Sequence, residues 1–246
     1  SAAAAEYHDM DWLQEHLGAN EDVQIKSLTN DQTILVLAGP KARDVLAKVS
    51  REDWSKDAFP WLSARECFVL FAPATVVGVS FSGELAYEIH VPNASLYAAY
   101  LALREAGKDL GMQLFGARAV ESMRMEKGFL HWKADILTEF DPFETGLDRF
   151  VKMDKGDFIG RDALQERVKA GPKSKFVALQ VHTDKAPAYG GGSLMRGDEV
   201  VGTITSGEWG HRVAMNLAYA FVKPDEAEIG NEIQLDLCGD LVKVTV

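Results

Sequence analysis

The stretch Phe81-Ser82-Gly83-Glu84-Leu85-Ala86-Tyr87-Glu88-Ile89-His90-Val91-Pro92 carries two glutamates four residues apart in a strand-like run. On an extended strand such residues share a face about 13 Å apart, too far for two carboxylates to act on one bond. Each can be a solvated strand charge, since glutamate is seldom fully buried. Alternatively, a carboxylate fixed on a strand can read a flat heterocycle with two adjacent N–H donors. Phe81 and Tyr87 would supply flat apolar surfaces, and Gly83 room for close backbone approach.

Other candidate chemistry is weaker. Tyr189-Gly190-Gly191-Gly192-Ser193 lacks the lysine and following helix of a phosphate-binding loop and reads as a hairpin connection. His8, His16, His131, His182 and His211 form no metal-like pair, so no metal site is expected. There is no GxSxG, HExxH or GxGxxG motif. Cys67 and Cys238 lie far apart without CxxC spacing, which predicts two buried free thiols rather than a disulfide framework or structural zinc.

Several elements must position these groups. Glu6 to Leu17 has the spacing of an amphipathic helix. Thr33 to Ala38 reads as a strand, closed by Gly39-Pro40 and followed by a helix with Ala42, Val45, Leu46 and Val49 on one face. Cys67–Phe71 and Thr75–Ser80 read as strands separated by the breaker Pro73, and Leu85–Val91 continues the sheet. Asn93 is a candidate cap for a helix over Leu96–Arg104, with Leu96, Tyr97, Tyr100, Leu101 and Leu103 as apolar cover. A further helix is expected over Ala117–Phe129, with Arg118, Glu121 and Arg124 spaced to pair along it. Asp141-Pro142-Phe143-Glu144 has the order of a capped helical turn. After a helix over Arg161–Val168 and a connector over Lys169–Lys175, five strands are expected: Phe176–His182, Val200–Thr205, Leu217–Val222, Glu232–Leu237 and Leu241–Val246. They suggest a small β-barrel or sandwich. The expected class is α+β, with an α+β region over residues 1–168 and a C-terminal β-barrel domain over 176–246.

With 246 residues, 47% of them hydrophobic, the chain can bury a sizeable core. Its formal charge of -11 argues against nucleic acid or an anionic membrane as the main partner. No apolar run approaches the ~20 residues of a membrane span, and Ser1 to Ala5 lacks the character of a signal peptide. A cytoplasmic location is expected, or the mitochondrial matrix in a eukaryote. The start at Ser1, without methionine, leads to the expectation of an upstream portion.

Seven segments occur in one order: Leu37–Leu46, Phe81–Pro92, Phe115-Gly116 with Met123–Gly128, Trp132, Asp141–Leu147, Asp157–Gly160 and Val201–Gly207. Together they resemble the folate-binding portion of the dimethylglycine and sarcosine dehydrogenase family, which is related to the aminomethyltransferase (T-protein) of the glycine cleavage system. The resemblance covers nearly the whole chain. It implies a partial T-protein-like fold, a tetrahydrofolate cofactor and capture of a one-carbon unit from a methylated amine. FAD would belong to a separate flavin dehydrogenase domain or subunit. By the same resemblance Glu88 matches a pterin-binding glutamate, with Ile89 and His90 beside it. A carboxylate can accept both parallel pterin donors. Phe81 stands at a tyrosine position, where ring contact remains and the hydroxyl bond is lost. Arg149 stands where a related dehydrogenase has a ligand-contacting tyrosine and could pair with a carboxylate of the folate tail. Trp132 matches an aromatic near the folate or serves the core, and Arg124 and Glu126 are assigned to internal pairing. The catalytic aspartate implied by the resemblance would lie upstream of residue 1. A non-catalytic folate-binding or structural module is the alternative to an enzyme module.

Overall fold

The computed structural model describes residues 5–246; Ser1–Ala4, part of the start lacking signal-peptide character, lie outside the described residues. Helix α1 (Glu6–Glu15) buries none of its side chains, and Tyr7, Trp12 and Leu13 stay largely exposed. The chain then divides into two compact units, Met10–Val120 and one made chiefly of Glu121–Val246.

In the first unit, β1 (Gln32–Ala38), β2 (Ala64–Val69), β3 (Ala72–Val77) and β4 (Ala86–Pro92) form an antiparallel sheet in the order β1-β4-β3-β2. One face packs on α2 (Ala42–Val49) and α3 (Leu96–Gly107), where Leu46, Val76 and Ile89 are fully buried. Each such side chain contributes about 1.5–3 kcal/mol by leaving water. The expected stripe of α2 is the buried one. In α3 the buried residues are instead Ala99, Leu103 and Gly107, while Tyr97 and Leu101 are exposed. Close approach explains the small residues: a Cβ on Gly107 would meet Met112 at 2.7 Å.

Three local expectations are corrected. Pro73 lies inside β3 and pairs with Phe68; the turn is at Leu70, with φ 54°. The β3–β4 ladder begins only at Thr75, so the missing proline N–H leaves no gap in it. Asn93 does not cap α3: its amide donates to the Asn30 carbonyl and its oxygen accepts from Thr33 Oγ1, tying two loops together. Cys67 is buried but Cys238 is exposed, on the turn after β9.

In the second unit, α4 (Ala117–Glu126) enters from its first turn, and α5 (Arg161–Ala170) follows a loop-rich stretch. β5 (Lys175–Val181), β6 (Ser193–Arg196), β7 (Glu199–Gly210), β8 (Met215–Val222), β9 (Glu232–Leu237) and β10 (Asp240–Thr245) close into a barrel in the order β10-β5-β8-β7-β6-β9. The sixth strand, β6, was absent from the sequence expectation. It has four residues and follows the triple glycine, too short for alternation to be visible. Leu194 nevertheless lies fully in the barrel core. Closure removes open sheet edges.

Asp141–Leu147 forms the expected capped turn. Asp141 Oδ1 accepts from the Phe143 and Glu144 N–H groups, and Glu144 Oε2 accepts from the Asp141 N–H. Glu144 Oε1 also accepts from the N–H groups of Lys173 and Ser174, fastening the connector just before β5.

Candidate functional site

β4 begins at Ala86, so Glu84 is not on the strand with Glu88. Gly83, at φ 75°, turns the chain between Phe81 and the strand, in the left-handed region that favours glycine. The expected same-face pair of glutamates is thereby corrected: Glu84 lies in a bend, where its N–H donates to Ser82 Oγ at 3.4 Å. Phe81 lies in the same bend, 39% exposed.

Alternation along β4 sends Tyr87, Ile89 and Val91 into the helix-covered core and puts Glu88 and His90 on the opposite face. Ile89 is fully buried, so its side chain serves packing and not the face that carries Glu88. Glu88 stands opposite Val36 of β1 and Val77 of β3, and His90 opposite Ile34 and Thr75. His90 Nε2 lies 3.2 Å from Glu88 Oε2, with 37% of the Glu88 side chain and 27% of the His90 side chain exposed. The carboxylate is thus accessible and flanked by apolar neighbours. A carboxylate so placed can accept paired N–H donors from a flat ring.

The second unit contains a polar cluster around Asp135. Two residues past the end of α4, Gly128 turns the chain at φ 73°, with N–H bonds from Gly128 to the Met125 carbonyl and from Phe129 to the Arg124 carbonyl. Arg124 and Asp135 are both fully buried and meet at 2.5 Å between Nη1 and Oδ2. Asp135 Oδ2 also accepts from the His131 N–H, and Oδ1 accepts from Thr205 Oγ1 and Ser206 Oγ. Arg124 donates further to Glu121, the Phe129 carbonyl and Ser206. A shift in the β7–β8 register between Ile204 and Ser206 accompanies the turning of two consecutive hydroxyls to one carboxylate. Every lone-pair direction of Asp135 is occupied, so this carboxylate is a structural hub rather than a base.

Tyr219 closes the cluster. Its hydroxyl donates to the Met125 carbonyl at 2.7 Å, and burial pushes its pKa up to about 12 despite the nearby Arg124 cation. Glu126 Oε1 accepts from the N–H groups of Arg212 and Val213, clipping the β7–β8 turn. Arg124 and Glu126 therefore do pair internally. The hub holds the loop that carries Trp132, in which the N–H groups of Ala134, Asp135 and Ile136 all point to the His131 carbonyl. Trp132 is 41% exposed and so is not a core residue; Lys133 Nζ lies 5.7 Å from its ring centre. Arg149 sits in an exposed single turn, Asp148–Phe150, with its guanidinium 4.7 Å from the Phe150 ring centre.

Within their units the structure brings Glu88 and His90 together and sets Trp132 on the loop anchored by Asp135. Sequence reasoning missed Asp135, Thr205 and Ser206. The available signal was the pair of adjacent hydroxyl residues Thr205-Ser206 following Ile204 in β7.

Residues 1–155 match the family described as the GCVT N-terminal domain, and residues 175–246 match the glycine cleavage T-protein C-terminal barrel domain. The chain is 34% identical to the mitochondrial dimethylglycine dehydrogenase of Homo sapiens over 97% of its own length and 28% of that protein's. It is 28% identical to an aminomethyltransferase of Caldanaerobacter subterraneus, over 97% of this chain and 63% of that one. It thus spans less than a third of the dehydrogenase it matches. In fold it is similar to the glycine cleavage system aminomethyltransferase T of Bartonella henselae, with a TM-score of 0.85, 24% identity, and coverage of 99% of this chain and 65% of that one. With the four-stranded sheet, the closed six-stranded barrel and the ordered motifs in agreement, the chain belongs to the glycine cleavage T-protein family, carrying its N-terminal domain sequence and its C-terminal barrel.

Proposed function

We propose that this chain is the tetrahydrofolate-binding, one-carbon-transfer module of a methylated-amine dehydrogenase of the dimethylglycine or sarcosine type. The observation that carries the reading is Glu88: a carboxylate on the open face of β4, flanked by Val36 and Val77 and accessible to a planar ligand. Two parallel N–H donors of a pterin match its two oxygens, an arrangement whose charge-assisted bonds are stronger than neutral ones. Bound tetrahydrofolate would supply the amine nitrogens that accept a one-carbon unit. Phe81 and Trp132 are proposed as ring contacts, His90 and the backbone at Ile89 as neighbours of the pterin site, and Arg149 as the partner of a tail carboxylate. Oxidation of the amine is assigned to a flavin-bearing partner domain or subunit. Similarity to mitochondrial dehydrogenases supports a mitochondrial setting in a eukaryote, and no helix among the described residues is long and apolar enough to cross a membrane. Residues 1–168 and 176–246 are proposed as the functional division.

Titration of tetrahydrofolate into the wild type and Glu88→Gln tests the assignment. An amide cannot accept both donors, so the variant is expected to bind at least about tenfold more weakly, from the 1.5–3 kcal/mol of a hydrogen bond to a charged group. Equal affinities would remove Glu88 from the site. An assay for transfer of a one-carbon unit from dimethylglycine or sarcosine to tetrahydrofolate by the full-length protein tests the reaction, and inactivity with both would sink it.

A further inference from the structure

We infer that His90 is a positioning residue that holds Glu88 Oε2 and so fixes the plane of the carboxylate, leaving the free lone pairs of both oxygens set in one orientation for a ligand with paired N–H donors. The inference rests on the folate reading of Glu88 and adds a role distinct from ligand contact.

Glutamate on an open strand face turns about three side-chain bonds, and the entropy lost in ordering it opposes binding. A bidentate acceptor needs its plane set before the ligand arrives. The neighbours of Glu88 across both ladders are Val36 and Val77, neither of which has a donor side chain. Two residues along β4, on the same face, His90 places Nε2 3.2 Å from Glu88 Oε2. An ionised carboxylate only accepts, so this contact assigns the proton to Nε2. Among the described residues His90 is the hydrogen-bond partner of Glu88. Ile34 of β1 and Thr75 of β3 stand opposite His90 in the two ladders, and only 27% of its side chain is exposed. A partly buried imidazole thereby orients the carboxylate.

The test is tetrahydrofolate titration of four variants of the intact protein: His90→Leu, His90→Gln, Glu88→Gln and the double variant His90→Leu/Glu88→Gln. His90 is partly exposed, so its replacement leaves the buried core intact, and circular dichroism checks the fold of each variant. His90→Leu is expected to weaken binding about fivefold, the range of one hydrogen bond. His90→Gln, whose amide offers an N–H, is expected to restore near wild-type affinity. In the double variant the leucine should add nothing to the effect of Glu88→Gln, because its influence passes through that carboxylate. Wild-type affinity in His90→Leu, failure of His90→Gln to restore it, or additive losses in the double variant would each overturn the positioning role. Full affinity in Glu88→Gln would instead overturn the folate reading beneath it.

Discussion

At the scale of single residues, the decisive contrast is between two carboxylates. Glu88 keeps a part-exposed carboxylate whose partner among the described residues is His90, whereas Asp135 is fully buried and saturated by Arg124, the His131 N–H, Thr205 and Ser206. An accessible carboxylate can read a ligand; a saturated one holds structure. Removing one member of a buried ion pair leaves the other charge uncompensated, at a cost of about 3–5 kcal/mol. Asp135→Ala is therefore expected to lower unfolding free energy by about that amount in urea denaturation. Replacing Arg124 and Asp135 together by apolar residues should restore much of the loss. Glu88→Gln, on a surface, should leave the denaturation midpoint nearly unchanged while weakening tetrahydrofolate binding. An equal loss of stability in Glu88→Gln and Asp135→Ala would contradict this division of roles.

At the scale of elements, the second half of β7 shows how backbone proximity decides side-chain identity. A Cβ on Gly207 would lie 2.4 Å from the Ala188 carbonyl oxygen, a backbone atom that has no rotamer by which to move aside. Gly207→Ala should destabilise the protein by about 1–3 kcal/mol, read as a lower thermal midpoint. Gly128→Ala meets open space but must keep φ 73°, which costs about 1–2 kcal/mol for an L-residue. Because Gly128 makes the turn between α4 and the Trp132 loop, that change should also raise hydrogen exchange at residues 129–136. Normal exchange there would show that the loop is held by Asp135 alone. Much of this was legible in advance: the Gly39-Pro40 junction, the α2 stripe and the Asp141–Glu144 capping box rest on neighbours within four residues. The β6–β9 pairing and the true contacts of Asn93 depend on partners tens of residues away, and Pro73 is accommodated because the β3–β4 ladder starts only at Thr75.

For the whole molecule, each unit buries its own apolar cluster, and ion pairs fasten the barrel from outside. Glu226 is the clearest: its carboxylate pairs with Arg196, and that hydrogen bond, chiefly, holds its pKa below the ordinary glutamate value of 4.5. A depressed folded value means that the stabilisation is present above the unfolded pKa and disappears as pH falls through the folded one. Glu226→Gln should therefore flatten the pH dependence of stability below about pH 4.5, while changing little in the slope near neutrality. An unchanged acid slope in the variant would show that other carboxylates govern it. The formal charge of -11, the α+β class, the C-terminal β-rich region and the ordered motifs were determined by the sequence alone, since they follow from composition, short-range periodicity and local turn chemistry. Only the tertiary structure decided that the barrel has six strands, that Glu84 leaves the strand, that His90 meets Glu88, and that Thr205 and Ser206 converge on Asp135. The closure of the barrel and the convergence on Asp135 depend on pairings between residues far apart in the chain, and the turn at Gly83 and the side-chain orientations of Glu88 and His90 depend on conformations that their spacing alone leaves open.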